Sequence, residues 1–472
     1  MSRSLWKPSL AILALFILYF YGIWRVGLVG PDEPRYASIG RAMASSGDWV
    51  TPRLWGDAWF EKPVLLYWLI GAAYKAGLPD DLAPRLPVAI VSSAFLAFYF
   101  FCLRREFGSR AAWFASTILA TSVGWLAYAQ LAVTDAPMAA SFSACMLLCL
   151  AWLRSGERKG LLAAGVLLGF AVLAKGLVPL ALAVPLAWVG RRRWTDLLVP
   201  AAACLATALP WYALCTLQNG TSFLKEFLWR HHFERFTSES LLHVQPFWYY
   251  VPVLLASFYP WTFLLPAIAR QERDPRRILL LLWLVFGLIV FSVSQNKLPG
   301  YLLPLLPAAA GLMGLRLAEM RDARWVFMSA ALLLALIPLI GRLLPEILLA
   351  GLSRTPIRGP ELWPFLAAIG IAAACWFIPR GWGLGLIAGA LTAGVLYLKI
   401  GMLPRLDEGY SARPLWKRLE RQRSGVCAGD IHRTWRYGLN FYSVTPLPDC
   451  DSAPLRVQVL PGESSKPEVK IW

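Results

Sequence analysis

Apolar stretches close to the length of a membrane crossing recur along the whole chain, separated by short polar clusters, and begin near residues 8, 85, 110, 133, 161, 176, 195, 249, 278, 299, 325, 363 and 382. A hydrocarbon core of roughly 30 Å asks for about 20 consecutive apolar residues per helix. Helices are favoured there because they satisfy their own backbone groups where no water can. The pattern therefore predicts an α-helical polytopic membrane protein of about 13 transmembrane helices. The first stretch, Pro8 to Gly30, follows Arg3 and Lys7 as a signal peptide would. Its long apolar run, with no A-x-A-like cleavage site after it, predicts a retained span instead.

The loops alternate in character. Arg104, Arg105 and Arg110, then Arg154, Arg158 and Lys159, Arg191 to Arg193, Arg270 to Arg277, and Arg316 to Arg324 fall on one side with the amino terminus. By the positive-inside rule that side is cytoplasmic. The opposite side receives the longer segments, residues 31–84, 216–248, 344–362 and everything after about 401. Two domains follow: a transmembrane domain over 1–400 that carries catalytic loops 31–84 and 216–248 on its periplasmic face, and a small periplasmic C-terminal domain over 401–472. Short alternating pieces in the latter, Val426 to Ile431 and Leu455 to Leu460, suggest a small α/β unit. Cys427 and Cys450 lie there, where an oxidising compartment would allow a bridge. The other six cysteines sit in or near apolar spans and read as small core residues.

Composition agrees: 58% hydrophobic residues, 16% charged and a mean hydropathy of +0.53 exclude a water-soluble globule of ordinary surface. The formal net charge of +18 has two sources. Cytoplasmic basic residues set topology, whereas Arg35, Arg41, Arg53, Lys62, Arg85, Lys225, Arg230, Arg235, Lys297, Arg354 and Arg358 form an outer surplus that topology does not require. Anionic ligands at that face are the simplest reason. Nucleic acid is not expected as a partner, because the basic outer residues are dispersed among membrane-facing loops.

Candidate chemistry concentrates in residues 31–68, where acids, bases and aromatics crowd the loop after the first span. Tyr36 to Ser45 has the spacing of an amphipathic interfacial helix. Trp49, Trp55 and Trp59 read as headgroup anchors. Asp32, Glu33, Arg35, Glu61 and Lys62 read as functional, because ionisable groups from distant segments converge on the same side. Those groups are Asp135, His231 and His232 with Arg235, and Lys297 with Tyr301. Asp135 could equally serve as a helix cap, with Pro137 just inside the start. The D-x-D of Asp449-Cys450-Asp451 follows Pro446 and Pro448 in a turn-like stretch and reads as structural.

The motifs G-x-D-E-P-R-Y-A (residues 30–37), G-D-W-V-T-P-R-L (47–54), F-E-K-P-x-L-L-Y-W (60–68), T-D-A-P-M (134–138) and K-L-P-G-Y-L-L-P-L-L-P-A (297–308) resemble the aminoarabinose transferase family of C-type, multi-span glycosyltransferases. The resemblance covers residues 1 to about 310, and the tail is shorter than in typical members. It implies an undecaprenyl phosphate-linked sugar donor and a lipid A phosphate as acceptor. It also implies acidic residues at Asp32, Glu33 and Asp135 near the reaction centre, with Arg35, Tyr36 and Lys62 on the donor phosphate. Arg235, Lys297 and Tyr301 would complete the substrate site, the last two bordering the lipid groove. Glu61 and His232 would hold a divalent metal (Zn, Mg or Mn), and no nucleotide cofactor is implied.

These residue types suit the chemistry. Breaking the bond to a polyprenyl phosphate gathers negative charge on the leaving phosphate, which fixed cations stabilise. A hydroxyl acceptor would need Asp32 as a general base; an acceptor phosphate would not, leaving Asp32 to orient the donor sugar or its amino group. Two other classes remain open on the sequence: an O-mannosyltransferase-like transferase with a hydroxyl acceptor, and a flippase for lipid-linked sugars, which would put its ionisable groups near mid-membrane.

Overall fold

Helices begin close to each of the predicted apolar stretches, but proline and glycine break several of them. The computed structural model describes residues 6–227, 244–350, 362–452, 455–462 and 466–471. Among these, six helices are long and apolar enough to cross a membrane: Leu86–Phe107, Asp135–Ser155, Arg191–Asn219, Pro275–Val293, Pro299–Glu319 and Gly381–Tyr410. Two bent pairs raise the number to eight if each is one span, Phe247–Ser257 with Thr262–Ala269 at 117° and Arg324–Leu334 with Ile337–Ile347 at 47°. Apolar stretches and continuous helices thus do not correspond one to one. The stretch near 176 is two short helices, Val178–Leu182 and Val184–Val189, each with proline in its first turn. Proline there lacks the N–H that would continue the preceding helix.

Asp135–Ser155 and Pro299–Glu319 are the most enclosed of these helices and form the centre of the bundle. Close approach requires small residues, as at Gly314, where a Cβ would lie 2.4 Å from the Ala115 backbone nitrogen. At one end of Leu86–Phe107, the buried Glu106 accepts from Arg154 Nε at 2.9 Å and pairs with Arg276 at 3.3 Å, joining three helices.

The other end of the same helix positions the candidate site. Arg85, 4% exposed, donates from Nε to Glu33 Oε1 at 2.8 Å and from Nη2 to Oε2 at 2.5 Å. Its guanidinium also donates to the carbonyls of Ile23, Val26 and Gly27. Glu33 accepts in addition from the backbone N–H of Val29 and Ala132, 2.9 and 2.8 Å away. One ion pair therefore fixes the end of the first apolar segment, the start of the loop helix Asp32–Ser46, the top of Leu86–Phe107 and the turn before Asp135. The loop helix ends at Gly47, whose φ of 78° suits a left-handed cap. A two-residue hairpin follows, Arg53–Leu54 against Asp57–Ala58, before the helix Leu65–Lys75.

The last long helix continues to Tyr410, and the chain beyond it makes a separate α/β unit. Val426–Ala428 pairs in parallel with Val457–Leu460, which pairs antiparallel with Glu468–Ile471. Helices Arg413–Leu419 and Arg433–Tyr442 cover this sheet through Trp416, Leu419, Trp435 and Leu439. Cys427 and Cys450 are disulfide-bonded, and Asp449 pairs with Arg436 at 2.7 Å.

Removing Arg85 strands a buried carboxylate, a loss of about 3–5 kcal/mol. Arg85→Leu should therefore accumulate poorly and melt early in detergent, and the double variant Glu33→Leu/Arg85→Leu should recover part of that loss. An Arg85→Leu protein with wild-type yield and Tm would show that the knot does not hold the loop.

Candidate active site

The helix Asp32–Ser46 opens with two acids in its first turn, where its dipole favours negative charge. Consecutive helical positions diverge by about 100°. Glu33 consequently turns inward, while the Asp32 side chain stays 47% exposed. One turn on, Arg35 reaches back to Asp32 in a close ion pair, donates from Nη1 to Glu61 Oε2 at 2.8 Å and from Nε to the Pro31 carbonyl at 3.1 Å. Lys62 Nζ lies 3.4 Å from Glu61 Oε1. Two cations and two carboxylates thus meet in one place, and Asp32 is the most exposed of the four side chains.

Three aromatic rings enclose the Arg35 guanidinium, Trp59 and Tyr437 at 5.5 Å and Tyr36 at 5.7 Å. Burial alone would lower the Arg35 pKa. The negative charges of Glu61 and Asp32 outweigh it, and the net shift is upward, so the group stays cationic. Burial, then Asp32 and Glu61, push Tyr36 well above the usual phenol range, and it acts as a neutral group. Tyr36 is 2% exposed with its ring 5.8 Å from that of Tyr67, which makes it a wall under Arg35 more than a direct phosphate ligand.

A second cluster forms where the bundle helices end. Asp135 Oδ1 accepts from Lys175 Nζ at 2.6 Å, and that ammonium lies 4.7 Å over the Tyr301 ring. Gly300 closes the cluster, since a Cβ there would come within 2.8 Å of Asp135 and of the Tyr128 ring. Thr134, not Asp135, occupies the cap position, and Asp135 is spent on the lysine. Lys175 was not anticipated: it ends an apolar helix in Ala174-Lys175-Gly176, and a lone lysine closing a span was the available signal. The two clusters are joined through Glu33, which holds Ala132 as well as Arg85.

Several sequence expectations change. Glu33 is 2% exposed with both oxygens saturated, so it is a structural tie and not a catalytic acid. Lys297, expected to bind substrate, is 4% exposed and donates to the carbonyls of Gln245 and Ser294, so its ammonium serves the loop. Lys297 does line a 490 Å³ cavity with Val244, Phe247, Leu288 and Ile289. Trp49, Trp55 and Trp59, read as headgroup anchors, are half-buried against the core of the bundle. His231, His232 and Arg235 lie outside the described residues.

The metal expectation pairs Glu61 with His232, and His232 lies outside the described residues. Among the described residues no three His, Cys, Asp or Glu side chains converge in a metal-sized group. Glu61 already has a cation against each oxygen, Arg35 on Oε2 and Lys62 near Oε1. A divalent ion would compete with both.

An apolar helical bundle whose loops gather paired cations and an exposed carboxylate at one face has the layout of a membrane glycosyltransferase of the C type. The family model for dolichyl-phosphate-mannose-protein mannosyltransferase matches residues 6–258. The undecaprenyl phosphate-alpha-4-amino-4-deoxy-L-arabinose arabinosyl transferase of Pseudomonas aeruginosa is 32% identical over 418 residues, covering 82% of this chain and 74% of that protein. The enzyme of the same name from Serratia proteamaculans is 35% identical over 400 residues, 79% of this chain and 71% of its own. The chain belongs to this aminoarabinose arabinosyl transferase family. ArnT from Cupriavidus metallidurans, solved bound to undecaprenyl phosphate, shares the fold with a TM-score of 0.78 at 24% identity, over 98% of this chain and 97% of that one. The archaeal oligosaccharyltransferase AglB from Archaeoglobus fulgidus shares it more distantly, with a TM-score of 0.56 at 12% identity over 96% and 65% of the two chains.

If Asp135 and Lys175 work as one unit, their replacements should not add. Asp135→Asn, Lys175→Met and the double variant should show a coupling of about 0.5–3 kcal/mol in kcat/KM for sugar transfer. Simple additivity would mean that the two act separately.

Proposed function

We propose that this chain transfers 4-amino-4-deoxy-L-arabinose, or a related amino sugar, from undecaprenyl phosphate to a lipid A phosphate at the periplasmic face of a bacterial inner membrane. The observation that carries the reading is the constellation of Arg35, Lys62, Glu61 and Asp32 at one loop face of an apolar bundle. Relatives at 32–35% identity are named for a donor of this kind. Topology is part of the proposal: the amino terminus inside, the loop after the first span and the C-terminal α/β unit outside, as the distribution of Arg and Lys supports.

In this reading Arg35 presents its fork, and Lys62 a compact charge, to the phosphate of the donor. As the sugar–phosphate bond breaks, charge accumulates on the departing undecaprenyl phosphate, and cations already held by Glu61 and Asp32 need no reorganisation to meet it. Asp32, being exposed, faces the sugar and orients its amino group by an opposite charge. The acceptor phosphate is itself the anionic nucleophile and needs no base. Lys175, seated on Asp135, supplies a further cation beside the acceptor path, and Tyr301 borders the groove for the lipid tail. No step is carried through a metal, and Glu61 acts by holding Arg35 and Lys62.

A second reading uses a hydroxyl acceptor with Asp32 as base. The match to the mannosyltransferase model and the exposure of Asp32 favour it.

Mass spectrometry of lipid A from cells with and without the gene should show a phosphate-linked amino sugar only in its presence. An unchanged lipid A, with a new glycan on another acceptor, would select the second reading. In purified protein, Lys62→Ala should lower turnover on the order of 10²-fold, as loss of one transition-state donor does. Lys75→Ala, an exposed lysine at the end of the helix Leu65–Lys75, should be nearly silent. Equal mild losses would leave Lys62 as an interfacial anchor. Turnover should survive EDTA; loss that zinc restores would bring a metal at Glu61 and His232 back into the mechanism.

A further inference from the structure

The C-terminal unit is clasped to the catalytic loop at several points. Tyr442 Oη donates to Asp81 Oδ1 at 2.7 Å and accepts from the Leu28 backbone N–H at 2.9 Å. Arg413 donates to Asp81 at 2.7 Å, to Asp407 at 2.6 Å, and to the carbonyls of Trp24 and Arg25. Arg41, on the loop helix, donates to the Phe441 carbonyl and lies 4.2 Å over the Phe441 ring. At Gly27 a Cβ would come 2.2 Å from Ser411 Oγ and 2.4 Å from Tyr442 Oη, so the two segments touch backbone to side chain.

This clasp lays the helix Arg433–Tyr442 along Asp32–Ser46 and carries one residue to the reaction site. The Tyr437 ring lies 5.5 Å from the Arg35 guanidinium. The Tyr437 ring also meets Trp55, with ring centroids 5.6 Å apart. Trp55 adopts φ of 54°, in the hairpin turn that it shares with Gly56 at φ of 104°. A bulky side chain in the left-handed region is strained and persists where surrounding contacts fix it. The strained turn aims its indole at a ring that belongs to another unit of the protein, more than 380 residues away in sequence.

We propose that Tyr437 is a positioning residue of the active site, its ring holding the Arg35 guanidinium against Asp32 and Glu61 so that the C-terminal unit completes the phosphate-binding face. The inference rests on the proposed role of Arg35 at the donor phosphate. The ring contributes a cation–π attraction and shuts water from one side of the guanidinium, leaving the fork directed at its carboxylates and at the phosphate. The hydroxyl is not required for either effect.

The test uses full-length protein in detergent with undecaprenyl phosphate-linked aminoarabinose as donor and lipid A as acceptor. Tyr437→Phe should keep turnover within about twofold, while Tyr437→Ala should lose about five- to tenfold, the scale of one partly desolvated cation–π contact. The loss should appear in kcat more than in KM for the donor, with Tm held near wild type. In an Arg35→Lys background, Tyr437→Ala should cost little more, because the planar fork it steadies is gone. Equal losses in Phe and Ala variants, or a loss that follows Tm, would overturn the proposal in favour of a hydroxyl or purely structural role. A silent Tyr437→Ala beside an inactive Arg35→Ala would overturn it while leaving the functional reading intact. Activity retained in Arg35→Ala would remove both.

Discussion

The buried pair of Glu33 and Arg85 is the constraint from which the site is built. Neither charge could remain in so enclosed a place alone, since an unpaired ion there loses its hydration without compensation. Together they use their remaining hydrogen-bonding capacity on the backbone of two other segments, the carbonyls of Ile23, Val26 and Gly27 with the N–H of Val29, and the N–H of Ala132. The polar atoms of an irregular stretch at the membrane boundary are satisfied in this way, and the stretch acquires one conformation. Asp32, the residue just before Glu33, is then left facing outward with Arg35 one turn away.

The active-site cations have little freedom of their own. Arg35 uses three of its five N–H donors on Pro31, Glu61 and Asp32, and rings stand on several sides of it. Lys62 is adjacent in sequence to the carboxylate that holds them both. On the proposed reading, such an arrangement would meet a departing phosphate without first rearranging, which is where electrostatic catalysis gains most. It also leaves Glu61 with a cation against each of its two oxygens.

The same logic extends across the domain boundary. Asp81, in the turn that leads to Arg85, accepts from both Arg413 and Tyr442 of the C-terminal segment. The knot under the loop and the clasp above it therefore act on neighbouring residues, and the C-terminal unit has its position set by the loop it covers.

The sequence by itself determined the membrane character, the helix starting points and the crowding of charge in residues 31–62, because hydropathy, helix periodicity and local motif are properties of neighbouring residues. It also set the α/β tail apart and allowed a bridge between Cys427 and Cys450, which the structure then shows. It did not separate Asp32 from Glu33, since adjacent acids look alike until the helix sends one inward to Arg85. Nor did it pair Asp135 with Lys175 or bring Tyr437 to Arg35, since those contacts span 40 and more than 400 residues. The resemblance assigned Lys297 to substrate, and an ammonium after a span reads the same in sequence whether it faces a ligand or two backbone carbonyls. Those decisions belong to the tertiary structure: local composition fixes which groups need partners, and only the packed bundle, by choosing which distant groups it can bring within hydrogen-bonding distance, fixes which partners they receive.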